Sequence, residues 1–494
     1  MRYFVLHAPR QTGKTSTLKA LADTLNASGG YRCVYANFEV GQTAREDVAR
    51  AMRALFDQLG KRASEMLGDG FVRSAKSQLL AECGPDSVLN EMLTLWTRAD
   101  ARPLVLLIDE IDTLQGDSLI SVLRQLRAGY DERPDGFPQS VILCGVRDVR
   151  DYRIYSSAQG FSITGGSAFN IRAKSLRLGD FTQDEVRSLL GQHTAETGQE
   201  FEAGATERIW ELTRGQPWLV NALALQACFE DEAGRDRSRP IGAESINRAK
   251  ETLIVERVTH LDQLTARLRE DRVRSVIEPL IEGNLEPDWS DEDMEYVRDL
   301  GLIAVDDPVR IANPIYREVI PRQLTSVLQS RLAGLIQPLS YRRSDGSLDI
   351  GHLMQRFQDF FRDHSEHWVG RFGYRGAGPQ LILQAFLQLL VNSGGRIERE
   401  FGVGRLRTDL LAVWPLPGGG EARYVIECKV LRPKRSLQGV IAEGLRQTAE
   451  YMDVSGAEEG HLVVFDLRAE RTWSQRLFRR RKTVGEADIH VWGV

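Results

Sequence analysis

At 494 residues the chain exceeds one ordinary domain, and its 42% hydrophobic and 27% charged content is that of a globular protein of several domains. A net charge of −5 excludes a polycation, so any nucleic-acid contact must come from a local patch. Five scattered cysteines without metal-ligand spacing argue against a disulfide framework, and no apolar stretch is long enough to span a bilayer.

"MRYFVLHA" lacks the apolar h-region and small-residue cleavage site of a signal peptide, so a cytoplasmic chain is expected. From there "RYFVLHAPRQTGKTSTLKALADTL" predicts a strand, a tight loop and a helix. The loop "APRQTGKT" fits G-x-x-x-x-G-K-S/T except that Ala8 stands in the first position. That chemistry needs inward N–H groups and a helix N-terminus to cradle phosphates. Gly13 permits close backbone approach, Lys14 reaches the β- and γ-phosphates, and the Thr15 hydroxyl ligates Mg²⁺.

Next, "PLVLLIDEID" is a continuous apolar run ending in acids, the pattern of a buried parallel strand opening on a ligand crevice. Asp109 is expected to hold Mg²⁺ through water, and Glu110 to orient or deprotonate the attacking water. "YRCVYANFE" (31–39), "SVILCGV" (140–146) and "KSLRL" (174–178) supply further parallel strands, with helical stretches between them. Arg147 and Asp148 in "CGVRDVRDY" fall at a strand's C-terminal end, where a γ-phosphate sensor would sit; a surface ion pair is the alternative. Thr182 and Glu185 predict a capping box, and Gly215 and Pro217 in "TRGQPWLVNALA" punctuate two helices.

Together "HAPRQTGKTS", "LLIDEID", "LRQLRAGYDERP", "VILCGVRDVRDY" and "LTRGQPWLVNALA" resemble the bacterial AAA+-like, STAND-related ATPases over roughly the first half. The resemblance implies ATP and Mg²⁺ as cofactors, with Lys14, Thr15, Asp109 and Glu110 as phosphate, metal and water residues. It also implies that Gly215 and Pro217 belong to a G-x-P turn that leans on the nucleotide.

Residues 250–340 read as a small α-rich module ending in a hairpin around Asp307-Pro308, and resemble the winged helix that follows many such cores. Asp291, Glu292, Asp293, Glu295 and Asp299 face a single Arg298, so phosphates would be repelled and a structural or regulatory wing is expected.

In the last third, "YVIECKVLR" alternates so that Val425, Glu427, Lys429 and Leu431 share one strand face. Charges inside a core strand need a partner or a metal. Asp409 in the preceding strand, with Glu427 and Lys429, suits metal-dependent phosphodiester cleavage: two hard oxygen ligands and an ammonium to position the water. A Glu–Lys pair on a solvent-facing edge strand is the structural alternative. "GVGRLRTDLLAVWP", "YVIECKVLR", "EGLRQTAEYMD" and "EGHLVVFDL" resemble the PD-(D/E)xK nuclease superfamily across about residues 350–494. The resemblance implies Asp409, Glu427 and Lys429 as the catalytic set, Asp409 and Glu427 as metal ligands, and Gln447 with Tyr451 in support. Many relatives carry a further acid on the first helix; this chain has Gln380 and Gln384 there, with Glu398 nearby on the hairpin. "RLFRRRKT" near the end is either a phosphate-backbone contact or a solvated face.

The expected fold class is therefore α/β: a P-loop NTPase parallel sheet with a helical lid and winged helix, followed by a restriction-endonuclease-like αβββαβ domain. The expected division is 1–180 ATPase core, 181–249 lid, 250–340 winged-helix-like module and 341–494 nuclease-like domain. The expected activity is ATP-controlled DNA cleavage, with DNA as partner, no membrane, and a homo-oligomer allowed. The alternative is a STAND-type switch whose degenerate nuclease-like module only binds DNA or protein.

Overall fold

The structure is a computed structural model. It describes residues 3–148, 153–156, 161–164, 174–255, 266–281, 289–324, 341–371, 382–384, 386–387, 395–399, 410–431, 435–466, 468 and 470–494. The chain divides into two compact units, Met1–Thr252 with Met294–Val305, and Leu253–Asp293 with Asp306–Val494.

In the first unit, strands β1 (Phe4–His7), β2 (Arg32–Asn37), β3 (Leu104–Asp109), β4 (Ser140–Gly145) and β7 (Lys174–Arg177) build the central sheet; β5 (Arg153–Ser156) and β6 (Phe161–Thr164) pair separately as an antiparallel hairpin. The central order is β2-β3-β4-β1-β7, every neighbouring pair parallel. Helices α1 (Lys14–Ala27), α2 (Val48–Leu67), α3 (Phe71–Glu82), α4 (Val88–Arg98) and α5 (Gly116–Ala128) surround it. β3 and β4 are buried at every residue because both sheet faces are covered. Val34, Leu106 and Val141 pack with Met52, Leu93 and Leu123 of α2, α4 and α5 on one face. Cys33, Leu107 and Cys144 pack with Leu18 and Ala22 of α1 on the other. This sandwich fixes the C-terminal ends of β1, β3 and β4 side by side, which is where the phosphate loop and the acids emerge.

Four helices follow the sheet: α6 (Gln183–Thr197), α7 (Ala203–Thr213), α8 (Pro217–Leu225) and α9 (Ala243–Val255). The capping box forms, with the Thr182 hydroxyl accepting from the Glu185 N–H and the Glu185 carboxylate accepting from the Thr182 N–H.

Helices α10 (Asp271–Ile281), α11 (Asp291–Asp299) and α12 (Pro314–Leu324) come next. Among the described residues no strand forms on either side of Asp307-Pro308, where a hairpin is expected; Ile303 and Ile311 are single bridge residues. Val305–Pro308 are all exposed, and a proline without an N–H cannot extend a ladder there.

The second unit carries α13 (Ile350–Arg371), β8 (Arg396–Arg399), β9 (Leu410–Pro415), β10 (Glu421–Leu431), α14 (Leu437–Ser455), β11 (Glu459–Asp466), α15 (Trp473–Arg476), β12 (Phe478–Val484) and β13 (Ala487–Gly493). Its strands form one mixed sheet, order β12-β13-β11-β10-β9-β8. β8, β9 and β10 are antiparallel neighbours, whereas β11 runs parallel to both β10 and β13. Period-two alternation splits β10 between two cores. Tyr424, Ile426 and Cys428 pack with Leu353 and Phe357 of α13, while Val425 and Leu431 pack with Val440 and Ile441 of α14.

Candidate nucleotide site and the Glu-x-Lys strand

The phosphate loop joins β1 to α1. Gly13 is the helix N-cap with φ +85°, a left-handed conformation that a side chain would strain. No side chain caps α1 and no acid lies in its first turn, so its N–H groups are left for an anion. Lys14 is 6% exposed, and its ammonium donates to the Ala8 and Pro9 carbonyls at 2.9 and 2.8 Å. The loop thus folds back on its own lysine, and the Thr12 hydroxyl donates to the Pro9 carbonyl at 2.8 Å. Burial pushes the Lys14 ammonium below its ordinary value, and Cys144, Glu110, Asp112 and Asp109 pull it back up.

Asp109 ends β3 and is fully buried. Its Oδ2 accepts from the Thr15 hydroxyl at 2.6 Å and from the Tyr35 hydroxyl at 3.0 Å. A hydroxyl and a carboxylate in contact at the phosphate loop are a hard-oxygen pair that fits Mg²⁺. Glu110 follows in a left-handed conformation, φ 54°, sparsely populated by a side-chain-bearing residue and frequent at functional sites. Its carboxyl is held above the ordinary range, first by burial, then by Asp112 and Asp109; Lys14 and Arg10 oppose this. Asp112 Oδ2 accepts from the Val146 N–H at 3.1 Å and so ties the acid turn to the end of β4.

Arg147 lies two residues beyond β4, whose Gly145 carbonyl accepts from the Ala8 N–H at 3.3 Å. Its guanidinium stacks over Tyr296 at 5.0 Å and places Nε 3.6 Å from Asp299 Oδ2. Asp299 Oδ1 is 3.9 Å from both His7 Nδ1 and Arg177 Nη1. Asp299 is 5% exposed, whereas Asp291 and Glu292 on the same helix are exposed.

Gly215 and Pro217 form the turn from α7 to α8. Gly215 has φ +82°, and a Cβ there would meet the Phe181 carbonyl oxygen at 1.9 Å. Pro217 occupies the first turn of α8, and the Gln216 side chain accepts from the Leu219 N–H. The turn is therefore built against Phe181.

In the second unit, Glu427 is 2% exposed and accepts from the Lys429 ammonium at 2.6 Å. β10 lies between β9 and β11, which removes the edge-strand alternative for this pair. Both side chains share the face of Val425 and Leu431, the face covered by α14. Gln447 is on that helix, its Oε1 buried without a hydrogen-bond partner among the described residues, and Tyr451 is buried in the same core. Asp409 lies outside the described residues, as does Gln380; Gln384 is buried. Among the described residues no group of three or more His, Cys, Asp or Glu is arranged to hold a metal, and no helix is long and apolar enough to cross a membrane.

Sequence reasoning did not single out Tyr35, Asp112, His7, Arg177 or the buried role of Asp299. Only Asp112 had a signal, its place in the "DEID" turn.

No curated protein matches the chain. Among solved structures it is similar to the Thermotoga maritima RuvB Holliday junction branch migration motor, at 16% identity and TM-score 0.35, covering 65% of this chain and 87% of that one. It is also similar to Cdc6p from Pyrobaculum aerophilum, at 18% identity and TM-score 0.35, covering 66% and 88%. Residues 2–152, which hold the phosphate loop, the buried acid strand and β4, match the family model described as AAA domain. That segment is an AAA-type P-loop ATPase domain.

Proposed function

We propose that the chain is an ATP-hydrolysing AAA+/STAND-like ATPase whose C-terminal domain is a metal-dependent PD-(D/E)xK nuclease acting on DNA under ATP control. The four-part division at 180, 249 and 340 belongs to this reading, as do assembly into a homo-oligomer and a cytoplasmic location.

Support for the ATPase half is the contact of Thr15 with the buried Asp109 beside an uncapped helix N-terminus. Thr15 and Asp109 would hold Mg²⁺, which when bound screens the phosphate charge. Lys14 would exchange its loop carbonyls for phosphate oxygens, and Glu110 would take a proton from the attacking water. Arg147 would meet the γ-phosphate, and Gly215 with Pro217 would close the lid side.

The observation that carries the nuclease half is a buried Glu427 bonded to Lys429 on an interior strand of a sheet built helix, three antiparallel strands, helix, parallel strand. Glu427 and Asp409 would hold the metal there, and the metal would lower the pKa of a bound water. Lys429 would position that water, with Gln447 steadying the site from α14. Edge strand β12 exposes Arg480 and Lys482, which suits a phosphodiester backbone.

Plasmid and single-stranded DNA incubated with Mg²⁺ or Mn²⁺, with and without ATP, test this reading. The expected result is cleavage by the wild type that is lost in Asp409→Ala and Lys429→Ala, and loses its ATP dependence in Lys14→Ala. DNA left intact under every condition would sink the nuclease half. It would favour a module that only binds, a reading to which the self-neutralising Glu427–Lys429 pair also lends itself.

A further inference from the structure

Asp299 itself has no part in the chemistry above, yet it sits beside Arg147 at the rim of the phosphate loop. Three elements of the first unit converge there. His7 is the residue immediately before the loop, Arg147 follows β4, and Arg177 ends β7. Segment Met294–Val305 meets all three through one carboxylate, Asp299. The same segment is fastened at two further points. The Arg177 guanidinium donates to the Arg298 carbonyl at 2.8 Å. Gly301, with φ +77°, packs on the loop's Pro9 so closely that a Cβ would stand 2.7 Å from its Cγ.

We propose that Asp299 is a positioning residue for Arg147, and that Asp299 and the nucleotide's γ-phosphate are rivals for that guanidinium. Segment Met294–Val305 would then report which nucleotide is bound. The inference rests on the reading that the phosphate loop takes ATP and that Arg147 faces its γ-phosphate.

Two physical features make the arrangement a switch and not a fixed ion pair. First, the 3.6 and 3.9 Å separations are within ion-pair range but longer than direct hydrogen bonds. Attraction at that range is charge-based and weakly directional, so Arg147 can leave Asp299 without a short bond between the two being broken. Second, a buried carboxylate stripped of its only partner is heavily penalised. Asp299 faces more than one cation, so when Arg147 turns to a phosphate, Arg177 remains beside the carboxylate. The direction follows. A triphosphate offers Arg147 an oxyanion that a diphosphate lacks, and a ligand shifts an equilibrium only by its differential affinity for the two states. ATP should therefore loosen the segment, and ADP should leave it docked.

The test is equilibrium binding of ADP and a non-hydrolysable ATP analogue to the full chain, for wild type, Asp299→Asn, Arg147→Gln and the double variant. Removing the rival should raise the preference for the ATP analogue over ADP by about tenfold. In the Arg147→Gln background the same change should raise it little. An unchanged preference in Asp299→Asn, or an equal rise without Arg147, overturns the proposal. Hydrogen exchange on the wild type covers the case in which Asp299→Asn does not fold. Residues 294–305 should exchange faster with the ATP analogue than with ADP, and equal protection is a contrary result. Lys14→Ala separates the two levels. Lys14-dependent binding with an unchanged nucleotide preference fells this inference alone, whereas no binding by the wild type fells the nucleotide reading with it.

Discussion

Asp109 and Glu427 are both buried carboxylates on interior strands, but their partners differ in charge. Asp109 accepts from two neutral hydroxyls, Thr15 and Tyr35, and Lys14 nearby directs its hydrogen bonds to loop carbonyls. Glu427 accepts from an ammonium two residues along its own strand. Neutral donors satisfy the lone pairs of Asp109 and leave its charge for an incoming cation. A bonded lysine cancels the charge of Glu427, so any metal there must share the carboxylate. The first site is prepared for a cation and accepts a cost in stability; the second is already balanced.

The largest effect that sharpens this contrast is on phosphate binding. Lys14→Ala should lower ATP hydrolysis by about 10²–10³-fold, the scale of losing one preorganised donor to developing charge. Removal of the ammonium loses two loop-carbonyl contacts but also relieves a cation that burial disfavours, so the urea unfolding midpoint should stay nearly unchanged. Steady-state hydrolysis and denaturation measured side by side check both halves, and a large loss of stability would mean that Lys14 is structural.

A second comparison sets the two carboxylates directly against each other. Lys429→Met takes the bonded ammonium away from the buried Glu427 and should destabilise by about 3 kcal/mol, since removing one partner of a buried pair is the expensive change. Adding Glu427→Gln should recover most of that loss. Asp109→Asn keeps an acceptor for Thr15 and Tyr35 while deleting the charge, and should cost less than about 1 kcal/mol. Equal losses for Lys429→Met and Asp109→Asn in denaturant titrations would erase the distinction between the two sites.

What the sequence made legible follows from how local each signal is. The phosphate loop spans eight consecutive residues, so Gly13, Lys14 and Thr15 could be read directly, and the apolar run before Asp109 announced a covered strand. Period-two alternation likewise placed Glu427 and Lys429 on one face. The partners were not legible, because they arrive from far along the chain: Tyr35 stands 74 positions from Asp109. Asp299 was grouped with the other acids of its helix as repelling phosphate, and nothing local distinguishes this last, buried acid from the first, exposed one. Gly215 was read as helix punctuation or a nucleotide contact, and the close approach of Phe181 that explains it is a tertiary fact.

The smallest effect tests whether the nucleotide site carries excess negative charge. Glu110 sits beside Asp109 and Asp112 in a partly buried turn, and its carboxyl is held above the ordinary glutamate range, chiefly by burial. A raised folded-state pKa means that the protonated form is the better tolerated one. The associated stability is fully present below the unfolded-state value and is lost as pH rises through the folded-state value. Glu110→Gln should therefore stabilise the nucleotide-free protein by about 0.5–1 kcal/mol at neutral pH, the scale of relieving one functional-site conflict. The gain should fade on acidification, because the wild-type carboxyl is then neutral too. Hydrolysis must run the other way: if Glu110 takes the proton from water, Glu110→Gln is inactive at every pH, and wild-type turnover falls as acidification protonates the carboxyl. Melting curves against pH for both proteins decide the point. A gain that persists into acid would show that Glu110 destabilises through its left-handed backbone and not through its charge.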